Sequence, residues 1–217
     1  MYFLSRREAG YRLALQLMGY RYENVVVVCL GDGAVMVGQQ IASSLHCVMT
    51  LLLSDNIEVP GEGVQFGSLN QSGRFSYNSE FSSGEINEYY TEYHGYLDDK
   101  KREGMSKINK LLGDGGVVDE AMLKDQTVIV VSDGLPDAYI LDAVADFLRP
   151  VRVQKLVIAS PTASVEAVDR LHILSDEMHV LGVTDNFIDV NHYYDENDIP
   201  EHEQIVQMLN NTVLSWQ

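Results

Sequence analysis

The stretch Thr127-Val-Ile-Val-Val131-Ser132-Asp133-Gly134-Leu135-Pro136-Asp137-Ala138-Tyr139-Ile140 decides how this chain is built. Thr127 to Val131 is a short run rich in β-branched residues, the pattern of a strand buried on both faces. Asp133 to Pro136 reads as a loop, and Tyr139 to Leu148 as a helix. The same order occurs earlier. Val25-Val-Val-Val-Cys-Leu30 is a second buried strand, Gly31-Asp32-Gly33 a turn, and Val35 to Leu45 a helix. In open parallel sheets, ligands lie outside the carboxyl ends of the strands. The loops at 31–34 and 132–138 are therefore where function is expected.

Working outward, Arg6 to Gly19 has helical spacing through Ala9, Leu13 and Leu17, closed by Gly19. Cys47 to Leu53 reads as strand. Residues 54 to 84 are rich in Gly, Ser, Asn and Pro and suggest loops and short antiparallel strands, with Gly63 to Leu69 one of them. Ser82 and Glu85 form a capping-box pattern before a polar helix to about Leu112, ended by Gly113-Asp-Gly-Gly116. Gln154 to Ala159 and Glu177 to Leu181 read as strands on either side of a helix from Ser164 to Leu171. Asp198-Ile-Pro-Glu201 is a second capping-box pattern before a last helix to about Leu209. Strands spaced by helices of about ten residues predict an α/β fold, a twisted and mainly parallel sheet flanked by helices. The chain reads as one domain over 1–217, with a small inserted subdomain, an irregular stretch plus a long helix, at about 54–113.

The 217 residues suffice for one good core. Lys and Arg total 15 against 32 Asp and Glu, a formal charge of −17. No Lys or Arg occurs between Arg21 and Arg74, and none after Arg170, where nine carboxylates follow. Such a chain is a poor partner for nucleic acid, whose binding rests on cations neutralising phosphates, and for an anionic membrane surface. The N-terminal residues show no basic segment ahead of an apolar one, and the longest wholly apolar run, Val25 to Leu30, is far short of a span. Cys29 lies within that run and reads as a buried, reduced thiol. A cytoplasmic protein is expected.

The order of pieces resembles type I phosphoribosyltransferases, which move ribose 5-phosphate from phosphoribosyl pyrophosphate (PRPP) to a base. The opening Phe3-Leu-Ser-Arg6-Arg-Glu-Ala9-Gly10-Tyr-Arg-Leu13-Ala14-Leu-Gln-Leu17 is similar to the first helix of a bacterial and archaeal subgroup. Thr127 to Ile140 is similar to the PRPP signature, a hydrophobic strand followed by two adjacent acids and a loop ending Thr-Gly-x-Thr. Ser175-Asp-Glu177 through Phe187 and His192-Tyr-Tyr194 follows the subgroup's layout. The resemblance spans nearly the whole chain. It implies a Rossmann-like transferase fold with a small hood.

The departures from that family pattern are chemical. The resemblance places Ser132 and Asp133 on the two acids that hold the ribose hydroxyls, so one acid is lost. The 5-phosphate loop reads Asp137-Ala138-Tyr139-Ile140. A phosphate cradle needs hydroxyls and closely approaching amides at a helix N-terminus. Ala138 adds a Cβ, Ile140 removes a hydroxyl, and Asp137 adds a carboxylate. Like charges at roughly 4 Å cost on the order of 4 kcal/mol at a surface-like dielectric, more than several neutral hydrogen bonds of about 1 kcal/mol each contribute. The pyrophosphate loop, Pro-Arg-Gly-Gly in the subgroup, reads Gly31-Asp32-Gly33-Ala34, with an acid in place of the phosphate-pairing Arg.

The family-matched cleft is thus Gly31, Asp32, Gly33, Ser132, Asp133, Gly134, Leu135, Pro136, Asp137 and Ala138, with no residue assigned a catalytic role. Asp133 reads equally as a ribose-hydroxyl acceptor or as a cap of the following helix. Asp32 and Asp137 are weak metal candidates together with Asp133; the preferred reading is drift, with an acid tolerated by the helix dipole. Tyr89, Tyr93 and Tyr96 have the spacing of a packed stripe. Lys100-Lys-Arg102 reads as a solvated face. His192 and His202 with Asp195 and Glu196 are a further metal candidate, for which exposed loop residues are the plainer reading. The leading expectation is a degenerate phosphoribosyltransferase-like protein, a pseudoenzyme with a binding or regulatory role toward a protein partner, a nucleotide or another small molecule. One alternative is an active PRPP-dependent transferase acting on a nucleobase, with Mg²⁺ bridging Asp32, Asp133 and Asp137 to the pyrophosphate and sugar. Another is a structural scaffold, expected as a homodimer.

Overall fold

The computed structural model describes residues 1–112, 120–137, 139–197 and 199–214. The helix stop at Gly113–Gly116, Ala138 of the cleft and Asp198 of the second capping box lie outside them, as do the side chains of Tyr139 and Ile140. The elements in chain order are α1 (Arg6–Gln16), β1 (Val25–Leu30), α2 (Asp32–Leu45), β2 (Val48–Leu52), β3 (Ser54–Glu58), β4 (Gln65–Asn70), β5 (Phe75–Tyr77), α3 (Ser83–Leu112), α4 (Glu120–Leu123), β6 (Thr127–Val131), α5 (Tyr139–Leu148), β7 (Lys155–Ser164), α6 (Val165–Leu174), β8 (Glu177–Thr184) and α7 (His202–Leu214). They fall into two compact units. The first holds Met1–Leu52, Asp114–Ala138 and Val151–Gln217; the second holds Leu53–Gly113 and Tyr139–Pro150.

In the first unit five strands form a parallel sheet in the order β2-β1-β6-β7-β8. Every residue of β1 and β6 is buried, which is why neither shows an alternation of apolar and polar residues. β8 closes one edge and is half-exposed along most of its length. The order sets β1 directly beside β6, with Cys29 opposite Val131. Two loops about a hundred residues apart in sequence therefore leave the sheet side by side. Cys29 is fully buried and unpaired, as expected.

Several boundaries differ from the sequence reading: α6 and β8 each run three residues further, α7 runs on to Leu214, and β2 is one residue shorter at each end. α1 stops at Gln16, and Gly19 lies inside a short 3-10 turn, Met18–Tyr20, rather than closing the helix. The N–H of Leu17 reaches the carbonyls of both Leu13 and Ala14, so the last turn tightens before the glycine is reached. α2 begins at Asp32, inside the expected turn. β7 runs five residues past Ala159, because Thr162 to Ser164 pair with Gly182 to Thr184 of β8 and Ala163 also bridges to Leu135 in the loop after β6.

In the second unit β3-β4-β5 form an antiparallel sheet. Ser82 and Glu85 make the capping box as read: the Ser82 N–H donates to Glu85 Oε2 at 2.8 Å, and the Glu85 N–H to Ser82 Oγ at 3.3 Å. α3 kinks at Tyr93. Ile57, Val59, Phe66 and Leu97 form a core against which Tyr89 and Tyr93 pack, whereas Tyr96 is 40% exposed. Lys100 and Arg102 pair with Glu103 and Asp99 on the solvated face. Lys101 departs from that reading, since its ammonium lies 4.1 Å from the Phe75 ring centre and 5.4 Å from that of Tyr90. Among the described residues no helix is long and apolar enough to cross a membrane.

Candidate functional site

The site grows from the carboxyl ends of β1 and β6. Gly31 leaves β1 with φ +78°, a conformation that favours glycine, and its N–H donates to the Leu52 carbonyl at 3.3 Å. Asp32 then occupies the first turn of α2, where the helix dipole favours an acid. Its Oδ1 lies 3.2 Å from His202 Nδ1 at the start of α7. The other ring nitrogen of His202 is buried and has no hydrogen-bond partner.

Gly33 lies against Asp133. A Cβ there would stand 2.2 Å from Asp133 Oδ2, so only glycine lets the first turn of α2 approach this closely. The same Oδ2 accepts a hydrogen bond from Arg6 Nε at 2.7 Å. Arg6 also donates from Nη2 to Asn191 Oδ1 at 2.7 Å and from Nη1 to Asn197 Oδ1 at 3.1 Å. Its guanidinium carbon stands 4.5 Å from the ring centre of Tyr194, whose hydroxyl donates to the Asp133 carbonyl at 2.5 Å. Arg6 is 3% exposed. Burial pushes the Asp133 carboxyl above the usual carboxylate range, opposed by the charge and hydrogen bond of Arg6. Burial, then the Asp133 charge, pushes the Tyr194 hydroxyl up as well.

The rest of the loop after β6 is tied down by its own contacts. Ser132 is buried, and its hydroxyl donates to the Gly134 carbonyl at 2.8 Å while accepting from the Gly134 N–H at 3.2 Å. The Leu135 N–H donates to the Thr162 carbonyl and the Leu135 carbonyl accepts from Ser164, each at 2.9 Å. Leu135 is thus a short parallel continuation beside β7 and is fully buried. Gly134 is backed by Val190 and Phe187. Pro136 is exposed and Asp137 half-exposed.

Asp133 therefore differs from the helix-cap reading: α5 starts only at Tyr139, and the carboxylate faces Arg6. Asp32 and Asp133 are brought to neighbouring strand ends, yet each faces a cationic or titratable partner of its own. Mg²⁺ calls for several oxygen ligands in near-octahedral geometry. Among the described residues no three of His, Cys, Asp and Glu are placed to hold a metal ion. Asp32, Asp133 and Asp137 thus form no metal cage by themselves. His192 meets the Tyr2 hydroxyl and His202 meets Asp32, so the second metal candidate is not assembled either.

Sequence reasoning gave no role to Arg6, Asn191, Asn197 or Tyr194. One signal was present. Arg6 stands on the same helical face as Ala9 and Leu13, an arginine on a buried stripe, which requires a partner inside. The asparagines lie in a loop region without periodicity and carried no such signal.

A family model described as phosphoribosyl transferase domain matches residues 7–196. Among solved structures, TT1426 from Thermus thermophilus is similar at 24% identity and a TM-score of 0.74, covering 100% of this chain and 99% of that one. AQ2163 from Aquifex aeolicus is similar at 13% identity and 0.50, covering 85% and 77%. A hypoxanthine phosphoribosyltransferase from Staphylococcus aureus is similar at 12% identity and 0.50, covering 86% and 79%. These structural likenesses establish the fold.

Proposed function

The chain belongs to the phosphoribosyl transferase domain family, and from that premise we propose that it is a member in which phosphoribosyl transfer has been lost and a binding role kept. The observation that carries this reading is the Arg6–Asp133 pair. The one family-matched ribose acid still present is engaged on Oδ2 by a buried guanidinium. A ribose hydroxyl donating there would compete with a charge-assisted bond, roughly twice as strong as a neutral one.

Other features support the same reading. Asp32 and Asp137 put negative charge where a pyrophosphate and a 5-phosphate would sit. The amides of Gly134 and Leu135 are committed to Ser132 and Thr162, so neither is free to approach a phosphate. The Ser132 hydroxyl is committed to its own loop.

The full-length protein with PRPP, millimolar Mg²⁺ and a panel of nucleobases tests this by pyrophosphate release. No release above the protein-free control is expected, and calorimetry is expected to show no heat for PRPP. PRPP-dependent consumption of any base would overturn the reading, as would saturable PRPP heat.

A further inference from the structure

A cavity of about 490 Å³ opens beside Arg6, within the usual range for small-molecule sites. It is lined by the start of α1, by Met36 of α2, by the segment at Glu196, Ile199 and Pro200, and by Gln204 of α7. No residue of 31–34 or 132–137 lines it. We propose that this cavity binds a small zwitterion of the α-amino-acid type, its carboxylate at Arg6 and Arg7 and its ammonium at Glu196.

The charges make the case. A guanidinium has five N–H donors. Three hydrogen bonds hold Arg6, to Asp133, Asn191 and Asn197, so donors remain on a side chain that is fixed and almost wholly buried. Arg7 and Glu196 line the same cavity, and neither has an ion-pair partner among the described residues. Glu8, next along α1, is engaged by Arg12 and by the Leu4 N–H. Opposite charges that share a cavity without meeting each other match a ligand that carries both. A simple anion would be opposed by Glu196, and a simple cation by the two arginines. Met36, Ile199 and Pro200 offer apolar lining for a side chain, and Ser5 and Gln204 add polar lining. The fixed guanidinium also lowers the ordering cost of carboxylate binding.

Because neither strand-end loop lines the cavity, the proposal stands apart from the loss of phosphoribosyl transfer. Its test is calorimetry on the full chain with L-leucine, L-methionine and L-glutamine, each compared with its methyl ester and its N-acetyl derivative, and with inorganic phosphate. At least one free amino acid is expected to bind at millimolar concentration, with both derivatives weaker by about tenfold or more. Arg7→Gln is expected to shrink the difference between acid and ester several-fold, Arg6 keeping the remainder. Glu196→Gln is expected to abolish the difference between free and acetylated amine. Both positions are exposed, and unchanged melting temperatures would show the variants folded. Equal binding of the three forms, binding of phosphate as tight as that of the amino acids, or binding of none would each overturn the proposal.

Discussion

Arg6 and Asp133, 127 positions apart in the chain, meet through a 2.7 Å bond from Nε to Oδ2 in a nearly solvent-free setting. Removing one partner of a buried pair leaves an uncompensated charge and costs about 3–5 kcal/mol, whereas an apolar pair of similar volume can be neutral. Asp133→Leu and Arg6→Met are each expected to lower stability strongly in urea unfolding. The double variant Arg6→Met/Asp133→Leu is expected to recover much of the loss. Simple additivity of the two single losses would contradict this account.

Gly10 packs α1 on α2, and a Cβ there would lie 2.5 Å from the Val37 carbonyl oxygen and 2.9 Å from its Cα. Both atoms are backbone and cannot step aside. Helix propensity alone would favour Gly10→Ala by about 1 kcal/mol. Overpacking of about 1–3 kcal/mol works against it, and the helices must separate. A net loss of thermal stability is expected; a rise in melting temperature would mean that α1 and α2 give way easily.

At the other end of the sheet, Glu177 accepts from Lys155 at 2.5 Å and from the Tyr20 hydroxyl at 2.7 Å, and its second oxygen lies 2.8 Å from His179 Nε2. The Lys155 bond, then that of Tyr20, lowers its carboxyl from 4.5 to about 2. A depressed acid adds stability above its unfolded pKa, and that stability is lost as pH falls through the folded value. Glu177→Gln is therefore expected to be less stable than wild type at neutral pH, and the gap to close between about 4.5 and about 2. Because Glu177 is 38% exposed, the gap should stay within about 1 kcal/mol. A gap independent of pH would contradict the charged origin of the effect.

Both thiols should be silent in the folded protein. Burial raises Cys29 and pushes Cys47 up to about 12, and the thiolate is the reactive form. Titration with an aromatic disulfide reagent is expected to label neither at neutral pH and both in denaturant. Rapid native labelling of either would show a local opening.

Much of the fold was legible because its signals are local. Val25–Leu30 and Val128–Val131 are apolar throughout, and a strand buried on both faces shows no polar alternation to betray its pleat. Ser82 and Glu85 sit at the spacing a capping box needs, and they form one. The site was legible only in part. Its loops could be found from the strand ends, and the acids at 32 and 137 from the family pattern. The partners of Asp133 could not, because they are Arg6 of α1 and Tyr194, 61 residues downstream.

Read along the chain, then, the residues dictate the alternation of buried strands and helices, the parallel sheet that follows from it, and the acids placed at two strand ends. Folding in three dimensions adds that β1 lies beside β6, that Asp133 faces Arg6 rather than capping α5, and that Arg7 and Glu196 share a cavity without pairing. The reason is range. Backbone propensity and hydrophobic period act over a few residues, so neighbours in the chain reveal them. A charge finds its partner only after the core has closed, and that choice depends on which distant segments the sheet order brings within a few ångströms.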